Sequence, residues 1–124
     1  MEHNLATHTS RYKFKKLDEK RLEEALTHAL ISYVSSSKGK RVTIRARQLV
    51  RIAGIGVTHS NIVRAAQFLK KLALRKLITP QVRKRFTHSV TLNYVIDDTS
   101  ELWRTIKDNP GKAYHIIITT IART

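Results

Sequence analysis

The segment Arg45 to Leu72, RARQLVRIAGIGVTHSNIVRAAQFLKKL, decides how the chain is read. Ala46, Leu49, Val50 and Ala53 recur at helical spacing, which predicts a short helix over Arg45 to Ala53. Arg47 and Arg51 then share another face of that helix. Gly54-Ile55-Gly56-Val57 interrupts it, because glycine takes the positive φ that closes a helix at its C-terminus. Ile55 and Val57 are expected to plug the core from this turn. Thr58 supplies an N-cap for a further helix over His59 to Lys76. Its expected buried stripe is Ile62, Ala65, Ala66, Leu69, Leu72 and Ala73. Its expected exposed side presents His59, Asn61, Arg64, Lys71 and Arg75.

Upstream of this segment, Asp18 is a good N-cap and Glu19 suits the positive end of a helix dipole. Leu22, Ala25, Leu26, Ala29, Leu30, Tyr33 and Val34 follow at helical spacing, and Ser35 to Gly39 is a polar exit loop. Val42-Thr43-Ile44 is β-branched and reads as a small strand. Downstream, Leu77-Ile78-Thr79 is strand-like and is expected to stop at Pro80. Thr87 to Ile96 alternates, with Val90, Leu92, Tyr94 and Ile96 on one face and Thr91 and Asn93 between them. The two runs form a hairpin that carries Arg83, Lys84 and Arg85. After Asp97, Thr99 or Ser100 caps a short helix to about Asp108 that buries Leu102, Trp103 and Ile106. Asn109-Pro110-Gly111 is a turn. The β-branched density of Ala113 to Ala122 favours a final strand over the competing helix.

Charge supplies the functional signal. The 124 residues, enough for one modest core, hold 24 Lys plus Arg against 9 Asp plus Glu, a formal charge of +15. Every acid lies at or before Glu24, or at or after Asp97. The 72 residues from Ala25 to Ile96 carry 14 bases and no acid. A solvated surface ordinarily mixes both signs, so a one-sign centre reads as a footprint for phosphates. Near the N-terminus, Arg11, Lys13, Lys15 and Lys16 alternate with Tyr12 and Phe14, a pattern that fits a strand or a basic arm.

In the order helix, short strand, helix, glycine turn, helix, hairpin, the chain resembles the winged helix-turn-helix superfamily. The resemblance rests on Val42-Thr43-Ile44, Arg45 to Ala53, Gly54-Ile55-Gly56-Val57, the helix from Thr58, and the basic hairpin through Ile96. It covers about two-thirds of the chain and is one of pattern, not of a diagnostic motif. It implies an α+β fold with a three-helix core and a β-hairpin wing. Residues 1–16 are then a basic arm, 17–96 the winged helix-turn-helix domain, and 97–124 an extension of the kind that often dimerises such proteins. It also implies a DNA-binding transcription regulator or chromatin-like architectural factor. Thr58, His59, Ser60, Asn61, Arg64 and Lys71 belong to the recognition helix, where Asn pairs with adenine and Arg with guanine. Arg45, Arg47 and Arg51 clamp phosphates, and Arg83, Lys84 and Arg85 act from the wing.

Other chemistry finds little purchase. Cysteine is absent, which removes disulfides, thiol catalysis and cysteine-based zinc motifs. Gly39-Lys40 follows a helix and lacks the earlier glycine of a phosphate loop. The six histidines show no close metal spacing, and Asp97, Asp98 and Glu101 read as helix-start acids. No enzyme activity, cofactor or metal is expected. The polar N-terminus and the lack of a long apolar run predict neither a secretory signal nor a membrane span, and the expected location is cytoplasmic, associated with the nucleoid. Two competing functions stay open: an RNA-binding or ribosome-associated protein, and a docking module in a replication or transcription assembly. The apolar C-terminal stretch has two possible destinations, a second copy in a homodimer or the first helix of its own chain.

Overall fold

The structure, a computed structural model, describes residues 18–84 and 90–124. The basic arm over 1–16, the start of the alternating run at Thr87 and the wing residue Arg85 lie outside the described residues. The described chain is α+β, with five helices and one three-stranded antiparallel sheet. The elements run α1 (Glu19–Ser35), β1 (Arg41–Ile44), α2 (Ala46–Ala53), α3 (His59–Leu74), β2 (Thr79–Lys84), β3 (Val90–Asp97), α4 (Glu101–Asp108) and α5 (Pro110–Arg123).

Local chemistry accounts for most of the boundaries. Asp18 Oδ1 accepts from the Arg21 amide at 2.8 Å and starts α1. Thr58 Oγ1 accepts from Asn61 N at 3.1 Å and starts α3. Ser100, the second of the two expected caps, accepts from Trp103 N at 3.3 Å and starts α4. Gly54 closes α2 at φ 71°, in the left-handed region. The end of α3 uses the same device without glycine. Lys76 sits at φ 62°, its amide bonds Ala73 O, and the Leu77 amide reaches back to Leu72 O. That pair of bonds is a Schellman closure with lysine where glycine is usual.

The core is shared by all layers. Leu22, Leu26, Leu30 and Val34 of α1 meet Leu49 and Val50 of α2, Leu69 and Leu72 of α3, and Tyr94 and Ile96 of β3. The order β1-β3-β2 puts β3 in the centre, with Val42 opposite Ile96 and Val82 opposite Leu92. Tyr33 ties the layers together: its hydroxyl donates to Thr43 O at 3.1 Å and accepts from Gln48 Nε2 at 3.2 Å.

Several expectations are corrected. The final stretch is a helix, not a strand. Asn109 caps it, Pro110 occupies its first turn, and Ala113, Ile117 and Ile121 recur every four residues on its buried face. Helix propensity disfavours isoleucine by at most about 0.7 kcal/mol per residue, whereas full burial of one contributes about 1.5–3 kcal/mol, so packing decides. That buried face packs within the chain, on α1, α4 and α3, and the Tyr114 ring lies 4.7 Å from the His28 ring of α1. The chain's own first helix, one of the two destinations the sequence allowed, is among the elements that cover this face.

Strand β2 does not stop at Pro80 but runs through it to Lys84, with Pro80 opposite Tyr94. Proline is tolerated there because β2 is an edge strand. Helix α3 ends at Leu74, and its core stripe is Ala65, Phe68, Leu69 and Leu72, with Ala66 exposed. Val57 is exposed as well, and only Ile55 of the turn packs on the core. In β3, Leu92 is exposed while Asn93 and Val95, on the face away from Tyr94 and Ile96, are buried. Asn93 Oδ1 has no hydrogen-bond partner among the described residues.

Cations from elsewhere in the chain close two helix C-termini. Lys107 of α4 donates to Ser37 O at 2.7 Å and Ser35 O at 3.4 Å, beyond a last turn of α1 that has no base of its own. Arg75 donates to Arg123 O and Thr124 Oγ1 at the end of α5. Both arrangements place positive charge at the negative end of a helix dipole.

The left-handed closures set an opposed pair of outcomes. Lys76→Gly relieves the αL penalty and is expected to raise stability by up to about 1 kcal/mol, while Gly54→Ala is expected to cost about 1 kcal/mol. Urea midpoints at constant m-value measure both.

Candidate nucleic-acid interface

The α2–turn–α3 unit positions the residues expected to meet phosphate and base. In α2, Leu49 and Val50 are pinned in the core, so Arg47 and Arg51 emerge together on the solvent side. Arg45, at the N-cap position, makes no side-chain cap bond and is exposed. Arg47 and Arg51 therefore share one exposed face of α2, and Arg45 stands exposed just before it.

In α3, four buried residues fix the rotation of the helix. The expected stripe included Ala66 and omitted Phe68. The observed stripe is turned from it by roughly 50°, at 100° per residue. The outward line is therefore His59, Val63, Ala66, Lys70 and Leu74, flanked by Ser60 and Gln67, all of them exposed. Val63, Gln67 and Lys70 were missed in the sequence. Weighing Phe68, the bulkiest apolar side chain in the helix, as a core residue would have found them.

The same rotation moves two expected readers. Arg64 and Lys71 are half-buried and line a small pocket with Glu19, Glu23, Gln67 and Phe68, on the flank of α3 that faces α1. Burial there pushes the Glu23 carboxyl above the usual carboxylate range, and the positive charge of Lys71 opposes that shift. Both bases thus stand beside the acids of α1.

Asn61 changes role more completely. Its side-chain Nδ2 donates to Ile55 O at 2.8 Å and to Gly56 O at 3.0 Å. Bidentate pairing with adenine needs that amide group as a donor, and the turn already occupies it. Asn61 is a staple of the turn, and Thr58 is the cap of the helix. His59 and Ser60 remain exposed in the first turn, at the positive end of the helix dipole.

On the hairpin, the backbones of Arg83 and Lys84 lie in β2 opposite Thr91 and Val90. Arg75, expected on the exposed side of α3, is exposed but engaged at the end of α5. Among the described residues, no group of three His, Cys, Asp or Glu side chains is placed to hold a metal ion. No described helix is long and apolar enough to cross a membrane.

The acids lie elsewhere. Those before Ala25 in the described chain are Asp18, Glu19, Glu23 and Glu24, at the start of α1. From Asp97 onward four acids are matched by four bases. The Asp97 carboxyl is held below the usual range by hydrogen bonds from the Thr99 hydroxyl and amide.

Comparison with family models, curated proteins and solved structures finds no match to this chain.

If Asn61 is a staple, its loss acts on stability. Asn61→Ala is expected to cost about 1–2 kcal/mol in chemical denaturation, the usual range for leaving bonded backbone carbonyls without a donor. Asn61→Asp, which keeps the size but removes the donor, should cost at least as much.

Proposed function

We propose that the protein binds double-stranded DNA as a winged helix-turn-helix module, with α3 in the major groove and the β2–β3 hairpin as a basic wing along the backbone. The observation that carries this reading is the segregation of charge. The exposed surface of α2 and α3 presents Arg45, Arg47, Arg51 and Lys70 with no acid, because none exists between Ala25 and Ile96. Cations concentrated on one face raise the local concentration of a polyanion and displace its counterions on contact.

The element order supports the same reading. Helix, strand, helix, glycine turn, helix and hairpin follow one another as the resemblance requires, and β1 pairs with β3 of the hairpin. A helix as wide as α3 with its side chains fits the major groove of B-DNA, whereas A-form RNA closes that groove to it. The role that suits such a module is transcription regulation or architectural binding on the nucleoid.

Binding of a labelled duplex is expected to weaken steeply with salt, with a log–log slope that reflects several phosphate contacts. Arg47→Ala with Arg51→Ala should lower the magnitude of that slope by about 2, one unit per lost contact. Structured RNA added as competitor separates the alternatives. Displacement of the duplex by equimolar RNA would transfer the function to a ribonucleoprotein role. No binding to either at moderate salt would leave a docking role.

A further inference from the structure

The outward line of α3 is not the cationic surface that phosphate binding alone would favour. Its middle is apolar. Val63 is 40% exposed and Ala66 is exposed one turn further on, while Val57, just before the cap, is 44% exposed. His59 and Gln67 lie four residues either side of Val63, so they share its face. The exposed cations of the same helix–turn–helix unit are Arg45, just before α2, Arg47 and Arg51 on it, and Lys70 one turn beyond Ala66.

Exposed cations and a small apolar ridge on one helix–turn–helix unit divide the labour of groove binding. The cations take the backbone, and the ridge faces the base edges. Among those edges in the major groove, the 5-methyl of thymine is the apolar group. We infer that α3 reads thymine through its 5-methyl group, with Val63 as the specificity-determining contact and Ala66 and Val57 beside it. The inference rests on the duplex-binding reading and adds the chemistry of the sites preferred, namely T·A pairs under the first two turns of α3. A polypeptide partner would also cover apolar side chains, but exposed bases on two helices that carry no acid match phosphate. Gln67, four residues on from Val63, has the amide that pairs with adenine, the partner of thymine.

Uracil differs from thymine by that methyl alone, which gives a direct test. An alternating adenine–thymine duplex and the same duplex made with deoxyuridine compete for the full chain, and Val63→Ala is assayed in parallel. The wild type is expected to favour the methylated duplex by about fourfold for each methyl it buries, the transfer value of one CH₂ group. Val63→Ala should bring that ratio toward one with the salt slope unchanged. Equal affinity of the wild type for the two duplexes overturns the inference and leaves duplex binding standing. A ratio that survives Val63→Ala overturns it too, since the preference would then come from duplex stiffness. Failure to bind either duplex overturns both readings.

Discussion

Two hydrogen bonds from the Asn61 amide to the carbonyls of Ile55 and Gly56 govern how the rest of the molecule presents itself. The turn between α2 and α3 has two glycines at positive φ and a short backbone bond of its own, from the Thr58 amide to Gly56 O. The staple fixes the turn to the first turn of α3, while Thr58 caps the same turn from below. With the angle set, Leu49 and Val50 of α2 and Phe68, Leu69 and Leu72 of α3 pack against Leu22, Leu26 and Leu30 of α1. Everything outward follows from that packing: Arg47 and Arg51 face solvent on α2, and Val63, Ala66 and Lys70 face it on α3.

Electrostatics and packing then act together. The helices that carry acids are placed behind or beside the basic unit, and they recruit bases of their own. Glu19 and Glu23 share a pocket with Arg64 and Lys71, so the flank of α3 toward α1 is a mixed-charge seam. Lys107 and Arg75 stand at the C-terminal ends of α1 and α5. Cations used in this way support the fold. Those left on the solvent side of α2 and α3 have no acid nearby in sequence to offset them, and the proposed duplex binding rests on that segregation.

Much of this was legible before any coordinates. Periodicity placed α1, α2, α3 and α4, and polar caps placed the starts of α1, α3 and α4, because both signals are local. The last helix was misread because three consecutive isoleucines speak for a strand locally, while the surface of α1 that buries Ile117 and Ile121 lies some ninety residues away in the chain. Pro80 reads as a stop because its strand's position at the sheet edge is a tertiary fact. For the site, the shared exposed face of Arg47 and Arg51 is readable from α2 alone. The roles of Asn61, Arg64 and Lys71 are not. Each depends on what faces α3 from the turn or from α1, and a stripe wrong by half a residue step exchanges flank for front.

The absence of cysteine permits a direct test of which face meets the duplex. A single cysteine at Ser60 on α3, and in a separate protein at Lys112 on α5, carries a tethered iron chelate that cuts nearby DNA. Both positions are exposed. If the α2–α3 surface is the interface, the chelate at Ser60 cuts the bound duplex and the one at Lys112 does not. Cutting from Lys112, or equal cutting from both, would contradict the account.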